Sequence, residues 1–240
     1  MPAERESRII VLHLTKYGDR SQVVQALDAE RGRSGFFLRG AGKGRGAQGD
    51  YHSLSILDVT ATGGKGDLEY LKEAERPYPL TAIRTDPYKS AVALFIGELL
   101  YRGVQDGAMD PDLFNFLERE ITALDAETAS VANFHLCFLV DFCRALGFRP
   151  KDNYSPDMPL FQPVIAEFTS EETLAEAWSA EDSLLLHQIL TLPREDALAL
   201  KLNRDRRGVF AQKMVEYLSY HLSLNLNIRS LKVLRELYGA

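Results

Sequence analysis

Residues 7–39 read SRIIVLHLTKYGDRSQVVQALDAERGRSGFFLR and contain three short runs rich in apolar and β-branched residues. The runs are Ser7–Leu14, Ser21–Leu27 and Gly35–Arg39. A turn-forming sequence, Lys16-Tyr17-Gly18-Asp19, follows the first run, and polar residues follow the second. Runs of this length, bounded by glycine-bearing turns, are typical of β-strands. This stretch therefore predicts three consecutive strands.

Two further runs continue the pattern beyond residue 39. Tyr51–Thr60 alternates between apolar and polar residues, and Leu68–Leu71 follows a turn of three glycines and a lysine. Four or five short strands with glycine-rich turns in so short a chain favour a small barrel. Arg76-Pro77-Tyr78-Pro79 interrupts the pattern, and the residues after it have helical periodicity. The sequence thus predicts an α+β protein with a barrel domain at residues 1–79 and a helical domain at residues 80–240.

The helices are predicted from apolar residues that recur on one face. The first face comprises Tyr88, Ala91, Val92, Phe95, Leu99 and Leu100. Asp110 and Pro111 are residue types of an N-cap and a first helical turn, and they open the next helix. Further helices are predicted at Val131–Leu146, Ser183–Leu190, Arg207–Leu224 and Ile228–Tyr238. Three prolines between Lys151 and Val164 predict an irregular excursion at about residues 150–170.

The net charge of −6 argues against a protein that simply coats DNA, because binding the phosphate backbone requires basic groups. The charge is unevenly distributed. Residues 1–80 hold 12 basic and 11 acidic residues, whereas residues 81–240 hold 16 and 23. Two stretches are basic against this background, one between Arg31 and Arg45 and the other between Lys201 and Lys213. These stretches are the candidate anion-binding regions.

The first basic stretch includes the glycine-rich segment Gly40–Gly46. Its candidate phosphate contacts are Arg31, Arg33, Arg39, Lys43 and Arg45, with Lys16 and Arg20 adjacent. Glycines let a backbone approach phosphates, but a solvated turn explains the same composition equally well. Tyr17, Phe36 and Phe37 offer rings on which bases could stack. Alternation along a strand allows at most one of the two phenylalanines to face outward, and a core position is favoured for each ring.

The second basic stretch stands at the predicted start of a long helix. Arg204, Arg206 and Arg207 place positive charge where it opposes the helix dipole, so some negative group must offset it. A partner's carboxylate or a phosphate is one explanation. An internal carboxylate, such as Glu195 or Asp196, is the favoured one.

Motifs of catalysis are missing from the sequence. A phosphate-binding loop requires Gly-x-x-x-x-Gly-Lys-Ser/Thr, whereas Gly44 follows Lys43 here and Phe37 occupies the first glycine position. The histidines are dispersed, which favours structural roles over zinc binding. Four helix-spaced carboxylates resemble a nuclease metal site, but a solvated acidic face explains them better: Glu167, Glu171, Glu172 and Glu176. We expect neither enzymatic activity nor a cofactor.

The cysteines and the apolar runs bear on the compartment. Cys137 and Cys143 point to different faces of one predicted helix, so we expect them to be reduced and buried. The longest apolar run, Ala91–Ile96, is far too short to span a membrane, and the amino terminus lacks the features of a secretion signal. These observations predict a cytoplasmic protein.

Several short motifs carry a family resemblance by their order. In the strand region they are Lys16–Val24 and Phe37–Lys43. In the helical region they are Pro87–Ser90, Glu98–Tyr101, Leu113–Leu117, Leu124-Asp125, Phe134-His135, Leu146–Phe148 and Ile228–Arg235. In this order, over nearly the whole chain, they resemble the RecO family of bacterial recombination mediators, which implies that the barrel is an OB-fold.

One departure from that family concerns zinc. Many relatives carry a four-cysteine zinc site just after the segment matching Leu146–Pro150, but Asp152–Asp157 contains no cysteine here. We therefore expect a zinc-free member in which Tyr154, Leu160 and Phe161 hold the excursion by packing.

The resemblance implies a non-catalytic mediator of recombinational DNA repair. It implies binding of single- and double-stranded DNA, annealing of strands and, together with RecR, help in loading RecA. It also implies contact with the acidic carboxyl-terminal tail of single-stranded DNA-binding protein. An alternative, which the acidic net charge favours, is an adaptor that binds this tail and has only weak DNA affinity. Its candidate partner contacts are Arg204, Arg206, Arg207, Arg229, Lys232 and Arg235.

Overall fold

The computed structural model describes residues 4–17, 21–39, 51–63, 68–170 and 176–237. The chain divides into two compact units, residues 1–126 and 127–240. This division falls after the third helix, whereas the sequence places a domain boundary between residues 79 and 80. The boundary at residue 79 stays a prediction, and the two units are described separately.

Five strands of the first unit form a closed barrel. They are β1 (Glu4–Tyr17), β2 (Ser21–Asp28), β3 (Gly32–Arg39), β4 (Ile56–Thr62) and β5 (Leu68–Glu75). Their order is β1-β2-β3-β5-β4, and every neighbouring pair is antiparallel except β3 and β5. Five strands closed in this way are the architecture of an OB-fold. The predicted α+β class, with a small barrel followed by helices, is confirmed.

The interior of the barrel is filled by inward residues from all but the last strand and by Tyr51. Its fully or nearly fully buried members are Ile9, Val11, Val24, Ala26, Phe36, Leu38, Tyr51, Leu57, Val59 and Ala61. Leu14 and Leu71 pack against this core. The alternation that predicted the strands therefore also selects the side chains that exclude water from the barrel.

Several predicted strand bounds are wrong, most clearly the end of β1 and the start of β4. β1 continues through Lys16 and Tyr17, which were expected in a turn, because both residues still pair with β2. β4 begins at Ile56 instead of Tyr51. Leu54 adopts a left-handed conformation with φ 65° and donates its N–H to Val11 O at 2.7 Å, so residues 51–55 turn instead of extending the ladder.

Three helices follow the barrel in the first unit: α1 (Thr81–Thr85), α2 (Pro87–Gly103) and α3 (Pro111–Ala126). Asp86 caps α2 by accepting hydrogen bonds from the amides of Tyr88 and Lys89. Asp110 accepts from Asp112 N–H at 2.9 Å at the start of α3, as its residue type predicts. Five members of the predicted α2 stripe are buried, but Tyr88 is 42% exposed because it lies in the first turn, beyond the packed face. α1 is too short for periodicity to reveal.

The second unit is mainly helical. Its helices are α4 (Phe134–Ala145), α5 (Ala180–Thr191), α6 (Arg194–Leu198), α7 (Arg204–Leu222) and α8 (Ser230–Leu237). α4 is buried on nearly all sides, and Cys137 and Cys143 are both buried within it as thiols outside any disulfide, as predicted. In α7, the apolar stripe expected from the sequence is buried at Phe210, Met214, Tyr217 and Leu218, whereas its last residue, His221, is only partly buried. α6, with five residues, was not predicted.

The excursion after α4 contains a hairpin that the sequence did not predict, formed by β6 (Leu160–Gln162) and β7 (Glu167–Thr169). The Asn153 side chain accepts from Phe168 N–H at 2.9 Å and donates to Phe168 O at 3.0 Å, so one amide satisfies both backbone groups of that residue. Tyr154 stacks on His187 with centroids 4.4 Å apart, and Phe161 is fully buried. Packing therefore involves Tyr154 and Phe161 as predicted, while Leu160 is only partly buried.

Candidate nucleic-acid interface

The strand register places those predicted DNA contacts that the structure describes at two opposite ends of the barrel. Ser21 pairs with Arg39 at one end of the β2–β3 ladder, and Asp28 pairs with Gly32 at the other. Because a strand rises about 3.3 Å per residue, the length of β3 separates these ends by roughly 23 Å. We call them the Arg39 end, which includes Lys16, and the Arg31 end, which includes Arg33.

At the Arg39 end, two strands lead directly into the basic segments of the sequence. β1 ends at Tyr17 and β3 ends at Arg39, which precede residues 18–20 and 40–50. Lys16 is exposed and pairs with Gln22 across the ladder. The predicted contacts Arg20, Lys43 and Arg45, and the side chain of Arg39, lie outside the described residues.

At the Arg31 end, a buried carboxylate organises the turn between β2 and β3. Asp28 Oδ1 accepts from the amides of Glu30 at 2.9 Å and Arg31 at 3.2 Å, while Oδ2 lies 2.8 Å from the Arg5 guanidinium. Burial alone raises the pKa of Asp28, but Arg5 and the turn amide outweigh it and hold the pKa below its ordinary value. Glu69 binds both Arg5 and Arg31, at 2.5 and 3.2 Å. Arg31 is thus paired, although its side chain is 56% exposed.

Arg33 fastens the residues after α2 to the barrel. Its guanidinium makes two hydrogen bonds to Asp106, at 2.8 and 3.0 Å, donates to Tyr101 O at 2.9 Å and lies 5.3 Å from the centroid of the Tyr101 ring. Gly32 forms a bridge with Asp106 at the same place, and with φ +68° it leaves no room for a side chain: a Cβ would lie 2.3 Å from Gly107 O. A phosphate at Arg33 would have to displace Asp106.

Three rings lie on the outside of the barrel beside the Arg39 end. Phe36 is fully buried, and Phe37, the next residue along β3, contacts Tyr17 and Tyr70 edge-on at centroid distances of 5.4 and 5.5 Å. Tyr17 is 59% exposed. The predicted core position is therefore correct for Phe36 and wrong for Phe37, which is only partly buried and lies outside the interior. It is also wrong for Tyr17, which lies at the end of β1 where no core remains to cover it.

A different part of the barrel surface is acidic. An open concavity of about 500 Å³ is lined by Glu6, Ser7, Asp58, Val59, Thr60, Glu73 and Glu75 from β1, β4 and β5. Asp58 is engaged by Arg8 at 2.7 Å, whereas Glu73 and Glu75 are exposed. Acidic side chains on these strands repel a phosphate backbone, so this face of the barrel is unfavourable for a polyanion.

In the second unit, internal carboxylates offset the charge at the start of α7. Arg206 lies 2.8 Å from Glu181 and 3.0 Å from Asp182, and Lys213 lies 3.0 Å from the other Asp182 oxygen. The favoured internal explanation thus holds for Arg206, but the carboxylates come from α5 and not from Glu195 or Asp196. Arg207 donates to Leu202 O instead.

A groove of about 450 Å³ lies between α7 and α8. It is lined by Gly208, Val209, Gln212, Lys213, Glu216, Ile228, Leu231, Lys232 and Arg235. Arg235 crosses α7 at Gly208, where a Cβ would lie 3.3 Å from its Cδ, and it pairs with Asp205 at 3.2 Å. Arg204 lies 3.8 Å from the same carboxylate. Lys232, which lies 3.8 Å from Glu236, and Arg229 are exposed beside the groove.

The remaining residues considered for catalysis or metal binding lie, where the structure describes them, in surroundings typical of structural residues. Complete burial lowers the pKa of His135 to about 3, so its ring is neutral. Glu167 pairs with Lys151 at 3.0 Å, while Glu171 and Glu172 fall outside the described residues. Within the described ranges, no three His, Cys, Asp or Glu side chains are grouped to hold a metal ion. No described helix is long and apolar enough to cross a membrane.

Three residues that shape the candidate interface were missed by the sequence analysis: Glu69, Tyr70 and Asp106. Glu69 and Tyr70 lie inside the predicted run Leu68–Leu71, but nothing in that run indicates that β5 pairs with β3. Asp106 follows α2 in a segment without periodicity. The β3–β5 pairing of the closed barrel brings Glu69 and Tyr70 to their partners, and the bridge between Gly32 and Asp106 brings Asp106 to Arg33.

Comparisons with known proteins cover both regions of the chain. The family model "Recombination protein O N terminal" matches residues 1–78, and "Recombination protein O C terminal" matches residues 84–230. The DNA repair protein RecO of Bacteroides fragilis is 33% identical over 95% of this chain and 97% of its own length. The RecO proteins of Flavobacterium johnsoniae and Christiangramia forsetii are 30% and 29% identical over 98% and 97% of this chain, and 99% and 98% of their own lengths.

These matches span the barrel and the helical region together, and they support the prediction that the chain is not an enzyme. On this evidence, and in agreement with the five-stranded barrel followed by helices, the chain belongs to the RecO family of DNA repair and recombination proteins.

Proposed function

We propose that this chain is a recombination mediator that binds single- and double-stranded DNA at the Arg39 end of its barrel. In this role it anneals complementary strands and, with RecR, helps to load RecA onto single-stranded DNA in the bacterial cytoplasm. The observation that carries the proposal is the register of β1–β3, which joins Lys16, Arg39 and the strand ends leading to Arg20, Lys43 and Arg45 at one place.

The electrostatics of the barrel supports this location. At the Arg31 end, Arg31 and Arg33 already pair with Glu69 and Asp106. Lys16, by contrast, is an exposed cation of the Arg39 end. Annealing requires two phosphate backbones to approach each other, and unpaired basic side chains screen their repulsion.

A salt titration of DNA binding tests the proposal. If about four phosphates are neutralised, log K for a fluorescent single strand falls with log salt at a slope of about −3, so affinity drops roughly 50-fold between about 50 and about 200 mM salt. Replacing Arg39, Lys43 and Arg45 together by alanine is expected to flatten the slope by about 2. The matched control is Arg31→Ala with Arg33→Ala, which removes basic residues from the other end. An unchanged slope in the triple variant would reject this site.

Mediation itself is tested in the reconstituted reaction. With RecR present, the chain is expected to speed RecA assembly on a single strand coated by single-stranded DNA-binding protein, and the triple variant is expected to lose this effect. If RecA assembles equally fast with the triple variant, the basic residues at the Arg39 end are not needed for mediation.

The groove between α7 and α8 favours a second candidate function, the adaptor that binds the acidic tail of single-stranded DNA-binding protein. Val209, Ile228 and Leu231 give the groove apolar walls, and Lys232 and Arg229 place exposed positive charge beside it. An acidic peptide with an aromatic end matches this combination. Among the predicted contacts, Arg206 is held by Glu181 and Asp182, and Arg235 pairs with Asp205. Arg229 and Lys232, both exposed, are therefore the better placed.

Peptide binding distinguishes this candidate. A labelled peptide ending in Asp-Phe is titrated against the wild type, the double variant Arg229→Ala/Lys232→Ala, and Lys201→Ala as a control for an exposed cation outside the groove. We expect about a tenfold loss for the double variant, since each exposed pairing contributes up to about 1 kcal/mol. Equal affinity for all three proteins, or binding that ignores salt, would remove the groove from consideration.

A further inference from the structure

The three outer rings of the barrel have no role in its core. Phe36 occupies the inward position of β3 and is fully buried, whereas Tyr17, Phe37 and Tyr70 lie outside the group of residues that fills the interior. They come from β1, β3 and β5, and the Phe37 ring lies between the other two. The strand register explains the contact between the Phe37 and Tyr70 rings, since these residues are paired directly across the parallel β3–β5 ladder.

The cluster exposes ring surface to solvent at the Arg39 end of the barrel, where the strands carry basic residues. Tyr17 is 59% exposed, its neighbour Lys16 is an exposed cation, and Arg39 lies two residues beyond Phe37. A large exposed ring held by edge-on packing is a rigid apolar surface with one side open. A basic side chain alone binds the backbone of single and double strands alike, whereas a ring binds only a base whose face is free.

We propose that Tyr17, supported by Phe37 and Tyr70, is a stacking surface for unpaired bases that gives the barrel a preference for single strands. The proposal rests on the proposed function, because it assigns the bases of the same DNA to residues beside the phosphate contacts. Stacking tolerates any base sequence, since every base has an aromatic face. In a duplex the bases are covered by their neighbours, so this surface contributes nothing to duplex binding.

The deciding experiment compares oligonucleotides that differ only in their bases. A fluorescent thymidine oligonucleotide, an abasic oligonucleotide of the same phosphate number, and a duplex are titrated at one salt concentration against the wild type, Tyr17→Phe, Tyr17→Leu and Tyr17→Ala. The matched control is Tyr88→Ala, which removes another exposed tyrosine of the same unit, 42% exposed on α2.

We expect Tyr17→Ala to weaken binding of the thymidine strand about tenfold, within the range found for loss of one stacked base. Binding of the abasic strand and of the duplex is expected to change less than about twofold. Tyr17→Phe retains the affinity because it keeps the ring, and Tyr17→Leu loses it although it keeps apolar area. Tyr88→Ala matches the wild type for all three ligands.

Other outcomes overturn the proposal in recognisable ways. If the wild type binds thymidine and abasic strands equally and Tyr17→Ala changes neither, the rings do not stack bases, while the proposed function stands. If Tyr17→Leu binds as well as the wild type, the contact is apolar and not aromatic. If the wild type binds none of the three ligands, the proposed function itself fails.

A second ring provides an independent measurement. Phe37→Leu keeps most of the packing volume between Tyr17 and Tyr70, and its thermal midpoint shows whether the barrel remains folded. In the folded variant we expect a threefold to tenfold loss for the thymidine strand and none for the abasic one. An equal loss for both strands would indicate that Phe37 supports the barrel and not the bases.

Discussion

The two ends of β3 hold basic residues of the same kind in opposite surroundings. At the Arg31 end, Arg33 makes a two-point contact with Asp106 and Arg31 pairs with Glu69. At the Arg39 end, Lys16 is exposed, and the ring of Tyr17, the next residue along β1, is open to solvent. The carboxylates come from β5 and from the residues after α2, far along the chain. Whether a basic residue stabilises the barrel or is available to an external anion therefore depends on which carboxylates the fold places next to it.

The largest expected effect is at the buried carboxylate of the Arg31 end. Asp28→Asn removes the charge that faces Arg5, and we expect a loss of about 2–3 kcal/mol in the free energy of unfolding, because it leaves a partly buried guanidinium with one carboxylate fewer. Urea denaturation at pH 7 measures it. A loss below about 0.5 kcal/mol would show that Glu69 alone balances Arg5.

The pH dependence of that loss follows from the depressed pKa of Asp28. A carboxyl group whose pKa is lowered on folding stabilises the protein above its unfolded pKa of about 4, and this contribution disappears as the pH falls through the folded pKa. The difference in the free energy of unfolding between the wild type and Asp28→Asn is therefore expected to be constant above about pH 5 and to decrease in acid. A gap that widens in acid would contradict the assignment.

The next effect concerns the backbone at the same end. Gly32→Ala is expected to cost about 2 kcal/mol, since it places a Cβ 2.3 Å from Gly107 O on a residue with φ +68°. Gly107→Ala is the matched control: its φ is +131° but no atom lies within 4 Å of the added Cβ. Equal losses in both variants, measured by urea denaturation, would show that the close approach adds nothing to the conformational strain.

A smaller effect compares one cation from each end. Lys16→Ala is expected to weaken single-strand binding about fivefold near 0.1 M salt and to reduce the salt slope by about 0.7, as for one phosphate contact. Arg31→Ala is expected to change affinity less than about twofold, because Glu69 already pairs with it. Fluorescence anisotropy measures both. The reverse order would move the interface to the Arg31 end.

The smallest effect tests whether the paired end is a concealed DNA site. Asp106→Asn removes the charge that holds Arg33 and lowers stability by up to about 1 kcal/mol, because this pair lies at the surface. We expect single-strand affinity to stay within about twofold of the wild type. A tenfold gain would show that Asp106 competes with phosphate for Arg33. Both ends of the barrel would then be able to bind DNA, and the Arg31 end would be blocked only by its own carboxylate.

The sequence predicts the elements better than their contacts. Alternation and glycine-bearing turns identify all five barrel strands, and apolar periodicity locates α2, α4 and α7. The hairpin of β6 and β7 was missed because three-residue strands have no period to detect. The ion pairs of Arg31 with Glu69, Arg33 with Asp106 and Arg206 with Glu181 were missed because these partners lie 38, 73 and 25 residues away in the chain, where no local pattern applies. The positions of the DNA and partner contacts remain predictions.

The parallel pairing of β3 with β5 has a consequence for how the chain tolerates change. The hairpins β1–β2 and β2–β3 join neighbours along the chain, whereas the pairing that closes the barrel must wait for residues 35–37 to meet residues 68–70. Residues 38–67, which include β4, lie between these two segments in the chain. The entropy cost of closing such a connection grows slowly with its length, by only about 0.6 kcal/mol for each doubling, so we expect the β3–β5 register to tolerate insertions in the chain between the two strands.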